Sequence, residues 1–102
     1  NHFGLIVVND NVRVGAFCDI HQGVNIGQQG DLADDVPTIG DNVWIGPGAK
    51  LFGRIHIADE CAIGANAVVN KDFLERSTTI AGIPAKKISD KGNPWIRHLK
   101  NN

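Results

Sequence analysis

The sequence has no methionine, only two cysteines among its 102 residues, and a net charge of −1. No apolar run approaches the about 20 residues of a membrane helix, and no charged and then apolar leader precedes the first strand-like segment. The near-neutral charge argues against a nucleic-acid partner. We therefore expect one cytoplasmic domain without a membrane-spanning segment. Because the chain opens at Asn1 and lacks methionine, we also expect an upstream region beyond this sequence.

The two cysteines, Cys18 and Cys61, are too far apart for a metal-ligand motif and too few for a disulfide framework. Both fall at inward positions of the repeat described next. Small buried hydrophobic residues are therefore the favoured interpretation, and we expect neither thiol to take part in catalysis.

The feature that recurs along the chain is a period of six residues. The first position of each hexad is aliphatic and the fifth is apolar, whereas the third and fourth are mostly polar or glycine. The first positions are Val8, Val14, Ile20, Ile26, Ile39, Ile45, Leu51, Ile57, Ile63 and Val69. The fifth positions are Val12, Cys18, Val24, Val43, Ala49, Ile55, Cys61, Ala67 and Phe73. Two side chains per hexad are thus predicted to point inward.

This period predicts an all-β chain that coils as a solenoid of hexapeptide repeats. A helix needs apolar residues at spacings of three and four, which are missing, and glycine recurs at the second position where a corner would follow. A sandwich of alternating strands is the rival interpretation, but its turns would come at about 8–12 residues without a fixed phase. In a solenoid each coil buries its inward side chains against the next coil.

The repeat is interrupted once, between Ile26 and Ile39, by a polar and acidic segment. We interpret that interval as one residue longer than two hexads and residues 28–37 as a protruding loop. The predicted domain is a β-helix over residues 1–88. Residues 89–102 form a C-terminal tail in which one short helix, starting at Pro94, is possible; a frayed terminus is the alternative.

The ordered hexads resemble the left-handed parallel β-helix acyltransferases, in the branch that contains serine acetyltransferases and polysaccharide O-acetyltransferases. The resemblance runs from Asn1 to about Ile88, and it implies a left-handed coil, a homotrimer and acetyl-CoA as the donor. The segments that carry it are residues 2–8 (HFGLIVV), 22–27 (QGVNIG), 36–40 (VPTIG), 45–50 (IGPGAK), 63–69 (IGANAVV) and 81–86 (AGIPAK).

The resemblance also implies a catalytic residue. The family's general base is a histidine four residues before a strand like Ile6-Val7-Val8, and His2 stands at that place. An imidazole can remove the proton of an alcohol as the alcohol attacks a thioester. The family pairs this histidine with an aspartate one coil earlier, and that coil is not part of this sequence.

A second histidine, His21, follows His2 by about one coil and is a candidate for the acceptor pocket, although an outward, solvated histidine is the alternative. Since related solenoids hold zinc with stacked histidines, a metal site has to be considered. Counting past the loop puts Gly40 at the next position of that stack, so we expect no metal. His56 and His98 are predicted to be surface residues.

For the donor, the family lays the pantetheine arm along small-residue corners, and basic side chains lie near the nucleotide phosphates. The matching positions are Gly27, Gly46, Gly48 and Ala65 for the arm, and Lys71 and Lys86 for the phosphates. Each has an ordinary structural explanation as a turn or surface residue. Trp44, at an outward corner, is a candidate for the trimer interface.

The acceptor is predicted from the charge of the loop. Serine acetyltransferases carry an Arg-His pair where this chain has Asp35 and Val36, and an acidic loop disfavours a substrate carboxylate. A sugar hydroxyl, held by Asp34 and Asp35 with Asp31 nearby, is therefore the predicted acceptor, as part of a sugar, nucleotide sugar or polysaccharide precursor. Serine is the alternative acceptor, and a non-catalytic trimeric scaffold is the second alternative.

Overall fold

The computed structural model describes residues 6–30 and 35–94, and these form a parallel β-helix. The predicted catalytic His2 and the loop residues Asp31 and Asp34 lie outside the described residues, as does the predicted tail helix beyond Pro94. The strands are β1 (Val7–Val8), β2 (Arg13–Val14), β3 (Asp19–Ile20), β4 (Asn25–Gly27), β5 (Thr38–Ile39), β6 (Trp44–Ile45), β7 (Lys50–Phe52), β8 (His56–Ile57), β9 (Ala62–Ile63), β10 (Val68–Val69), β11 (Thr79–Gly82) and β12 (Ala85–Ser89).

The strands form the three sides of the coil. Sheet A has the order β1-β4-β7-β10, sheet B has β2-β5-β8, and sheet C has β12-β11-β9-β6-β3. Every pairing between these strands is parallel except that of β12, which turns back antiparallel to β11 at the end of sheet C. The predicted all-β solenoid is confirmed, with a closing hairpin that the period alone did not predict.

The inward positions are those that the hexads predicted. From Val24 to Val69 the first and fifth positions are buried; Ile26, Ile45, Leu51, Ile63 and Val69 have less than 2% of their surface exposed. Each aliphatic residue lies over its counterpart in the next coil, as Ile26 does over Leu51. At the first coil Val8 and Val14 remain 38% and 37% exposed, because within the described residues no earlier coil covers them.

The loop is longer than the sequence interpretation allowed. Trp44 pairs with Ala62, a step of 18 residues, whereas Asp19 pairs with Trp44, a step of 25. The coil therefore holds seven additional residues rather than one. The neck of the loop is closed by the Gln29 amide, which donates to the Asp35 carbonyl at 3.1 Å. Val36 and Pro37, which we assigned to the loop, are buried and belong to the coil.

The chain beyond β12 packs back onto the coil. Asn93 is 4% exposed; its backbone amide donates to the Glu60 carbonyl at 2.8 Å and its side-chain amide donates to the Asn42 carbonyl at 2.7 Å. These bonds fix the start of the C-terminal segment against the corner between sheets B and C. In the part of the chain that the structure describes, no helix is long and apolar enough to cross a bilayer.

Aspartates connect successive coils at the same corner. The Asp41 carboxylate accepts a hydrogen bond from the Ala16 amide, and the Asp59 carboxylate accepts one from the Asp41 amide, both at 2.8 Å. The space for each carboxylate is left by a glycine of the preceding coil, Gly15 and Gly40. Glycine at these second positions thus serves coil stacking.

Replacement of Gly40 by alanine is expected to lower the free energy of unfolding by about 1–3 kcal/mol, as for other overpacked sites. The new Cβ would overlap the Asp59 carboxylate and lie 2.9 Å from the Asp59 backbone nitrogen. Denaturant unfolding measures the loss. Gly27→Ala is the matched control, since its Cβ would meet nothing nearer than the Asn25 side chain at 3.6 Å. Equal midpoints for the two variants would contradict this packing.

Candidate active site

The corner between sheets C and A brings together several of the predicted site residues. On successive strands of sheet C, the register partners are Ile20, Ile45, Ile63 and Ile80. The residues that follow these four isoleucines form one column along the corner, and they are His21, Gly46, Gly64 and Ala81. The amides of the first three donate to the carbonyls of Ile45, Ile63 and Ile80 at 3.1, 2.8 and 2.8 Å.

The glycines of this corner are required by the stacking of coils. A Cβ on Gly46 would lie 2.8 Å from the Ala65 nitrogen, and one on Gly48, which has a φ of 75°, would overlap the Asn66 side chain. Ala65 is exposed on the next coil. Gly46 is buried and Gly48 is half-buried, so it is at Ala65 that a flexible ligand can approach the backbone closely.

Lys86 lies beside this column, because it pairs with Ala81 across the closing hairpin. Its side chain is exposed and makes no ion pair within the described residues. The neighbouring Lys87 is held by Glu75 and Asp90; their hydrogen bonds, that of Asp90 above all, raise the pKa of Lys87. Lys86 is thus the lysine of this pair that is available to an anionic ligand.

Two of the predicted donor-binding residues lie elsewhere. Gly27 ends β4 at the corner between sheets A and B, and Lys71 follows β10 at that same corner. The Lys71 ammonium lies 5.6 Å from the centre of the Phe73 ring, which gives it a cation–π contact within the coil. The six predicted donor-binding residues therefore do not all lie at one corner of the coil.

His21 lies at the corner between sheets C and A, but its stacking neighbour differs from the one we predicted. With seven loop residues instead of one, the next position in the column is Gly46 rather than Gly40. Glycine offers no ligand atom in either case. Among the described residues no three His, Cys, Asp or Glu side chains converge as a metal site would require.

The remaining candidates occupy ordinary structural positions. Cys61 is fully buried, and burial raises the pKa of the half-buried Cys18 thiol, which lies 3.1 Å from the Gly40 carbonyl. Both thiols belong to the core. His56 is exposed on sheet B beside Asp72. Trp44 lies within β6 and is half-buried, not at a corner as we predicted.

The acidic end of the loop has a basic neighbour that the sequence interpretation missed. The Arg54 guanidinium lies with its Nε 3.4 Å from the Asp35 carboxylate, one coil further along the chain. Val36 is 6% exposed and contributes to the core rather than to a binding surface. Arg54 thus places one positive charge beside Asp35, which weakens the electrostatic argument against an acceptor that carries a carboxylate.

Comparison with known proteins gives a consistent result. The family model described as bacterial transferase hexapeptide (six repeats) matches residues 37–71. A serine acetyltransferase of Synechococcus elongatus is 38% identical over 88 residues, which are 85% of this chain and 36% of that protein. The chain therefore spans between about a quarter and a half of the length of such curated relatives.

Solved structures agree with the curated relatives. The serine acetyltransferase of Neisseria gonorrhoeae in complex with serine superposes with a TM-score of 0.79 at 34% identity, covering 87% of this chain and 36% of that one. The Brucella abortus serine acetyltransferase in complex with coenzyme A gives a TM-score of 0.71 at 31% identity, covering 81% and 41%. The left-handed sense of the coil is confirmed by these neighbours.

The prediction of a sugar acceptor is wrong, because the relatives and the solved structures just described are serine acetyltransferases. Its charge argument counted Asp35 without Arg54, which neighbours Asp35 only across successive coils. The hexads, the coiled fold and the similarity to these enzymes agree. The chain belongs to the family of bacterial hexapeptide-repeat transferases.

Proposed function

We propose that the protein containing this chain is a serine O-acetyltransferase that uses acetyl-CoA. The observation that carries this proposal is the 38% identity to a serine acetyltransferase over 85% of the chain. The balanced charge between Asp35 and Arg54 is compatible with an amino-acid acceptor. A homotrimer in the cytoplasm is part of the same proposal and follows from the resemblance.

The reaction assigns a role to His2, which lies outside the described residues. Its imidazole removes the proton of the serine hydroxyl while the oxygen attacks the thioester carbonyl. The carbon–sulfur bond then breaks, the acetyl group stays on the serine oxygen, and the proton passes to the sulfur to give free CoA. His2 is proposed on its place before Ile6-Val7-Val8.

The donor is proposed to lie along the corner that carries Gly46, Gly48 and Ala65, with Lys86 near its phosphates. Coenzyme A bound to the Brucella abortus enzyme supports the donor. The exposed Ala65 and the exposed Lys86 on the adjoining hairpin support its place. Gly27 and Lys71, at the other edge of sheet A, would have to contact a different part of the donor or a donor bound across a neighbouring subunit.

The acceptor is tested by CoA release from acetyl-CoA, measured with the full-length protein and separate acceptors. Serine is expected to give a kcat/KM at least about 100-fold above that of N-acetylglucosamine or a nucleotide sugar, since a site built for one set of polar groups rejects others strongly. Release with a sugar alone would overturn the proposal. No release with any acceptor would favour the non-catalytic scaffold.

A further inference from the structure

Three side chains that do not belong to the inward first or fifth hexad positions lie together on the outer face of sheet C. Asp19 and Trp44 are register partners on β3 and β6, and His21 follows β3 directly. Residues that pair on neighbouring parallel strands lie about 4.8 Å apart with their side chains on the same face. We call Asp19, His21 and Trp44 the outer cluster.

The outer cluster holds the His21 ring in one orientation. The ring centre lies 5.1 Å from that of the Trp44 ring with a tilt of 56°, which is a normal aromatic packing distance. The Asp19 carboxylate oxygen Oδ2 is 3.5 Å from Nε2 of His21. Trp44 and Asp19 thus both contact the imidazole.

The two nitrogens of His21 have different surroundings. Nε2 is shielded from solvent and makes no hydrogen bond within residues 6–30 and 35–94, although 37% of the side chain is exposed. The exposed part of the ring is therefore the part away from Nε2. A shielded nitrogen without a partner is costly, and the contact with Asp19 at 3.5 Å is at the outer limit of a hydrogen bond.

The carboxylate determines which nitrogen carries the proton in the neutral ring. An ionised carboxylate only accepts hydrogen bonds, so Nε2 can pair with Asp19 only as N–H. Nδ1 is then left with a lone pair, and it can accept a hydrogen bond from outside the cluster. Hydrogen bonds of this kind are often long without substrate and shorten when substrate binds.

We propose that Asp19 is a positioning residue that fixes His21 in the Nε2–H tautomer, so that Nδ1 accepts a hydrogen bond from the ammonium group of the acceptor. Trp44 prevents the ring from turning away. This inference rests on the proposed function, since it gives His21 a role in binding serine. It adds to that function a residue, Asp19, which touches neither substrate.

The test replaces Asp19 by asparagine in the full-length protein. The amide of the introduced asparagine has the same shape as the carboxylate but can donate to Nε2, so the neutral ring is expected to change to the Nδ1–H tautomer, which can no longer accept. NMR of protein with ring-labelled histidine reads the tautomer, and a His21→Gln variant assigns the signal. The KM for serine is expected to rise about 3- to 10-fold, as for one lost hydrogen bond, with the KM for acetyl-CoA unchanged.

Two further variants separate positioning from simple structural support. Asp19→Glu restores a carboxylate and is expected to recover the Nε2–H tautomer and part of the serine affinity. Asp10→Asn, at an exposed site outside the cluster, is the matched control and should alter neither quantity. Thermal midpoints confirm that all the variants fold.

The outcomes are distinguishable. An unchanged tautomer in Asp19→Asn overturns the positioning role, and a changed tautomer with an unchanged KM for serine overturns the role in acceptor binding. If the unaltered protein releases no CoA with serine, the proposed function fails and this inference fails with it. That failure is recognised by activity alone, whatever the tautomer.

Discussion

Truncation of Leu51 to alanine is expected to lower the free energy of unfolding by about 2–5 kcal/mol, the usual range for a buried leucine. Leu51 is fully buried in sheet A, where it pairs with Ile26 on one side and Val69 on the other. In a solenoid each coil is stabilised mainly by its two neighbours, so a cavity at this position weakens both contacts.

Denaturant unfolding of Leu51→Ala beside Lys50→Ala measures this effect. Lys50 precedes Leu51 on β7, and its exposed side chain donates to the Gly48 carbonyl at 3.3 Å. The control is expected to change the free energy of unfolding by less than about 0.5 kcal/mol. If both variants lost the same small amount, the inward assignment of the first hexad position would be contradicted.

Replacement of His2 by alanine is expected to lower kcat/KM with serine by about 10²- to 10⁴-fold, which is the contribution of a general base. The serine hydroxyl would then have to lose its proton to water. The loss should appear in kcat, with a small change in the KM for acetyl-CoA, because the proposed donor corner does not include His2. CoA release at saturating acetyl-CoA measures it.

His56→Ala is the matched control for this experiment. His56 lies on the outer face of sheet B, with more than half of its side chain exposed, and it belongs to no part of the proposed site. Its removal should leave kcat/KM unchanged. Equal activity of the His2 and His56 variants would show that another group removes the hydroxyl proton.

The fold was predictable because burial repeats at every hexad. Each hexad needs two inward apolar residues, and positions such as Ile45 and Val43 could not be polar without leaving an unpaired group in the core. The closing hairpin was not predictable in this way. Its strand β12 lies outside the period, and its antiparallel pairing with β11 depends on the turn at Gly82, which has a φ of 105°.

The site was less predictable because it depends on the length of the loop. Counting one inserted residue instead of seven shifted the column of His21 and hid the pairing of Asp19 with Trp44. The available signal was Asp19 and His21 two residues apart, which on a strand places both on one face. Arg54 escaped notice because its contact with Asp35 crosses from one coil to the next.

The central claim is that acetyl groups pass from acetyl-CoA to serine, and competition for labelled acetyl groups tests it most directly. The full-length protein is incubated with carbon-13-labelled acetyl-CoA and an equimolar mixture of serine, N-acetylglucosamine and nucleotide sugars, and the products are identified by mass spectrometry. We expect the label on the serine oxygen. Label on a sugar, or no labelled acceptor at all, would contradict the claim.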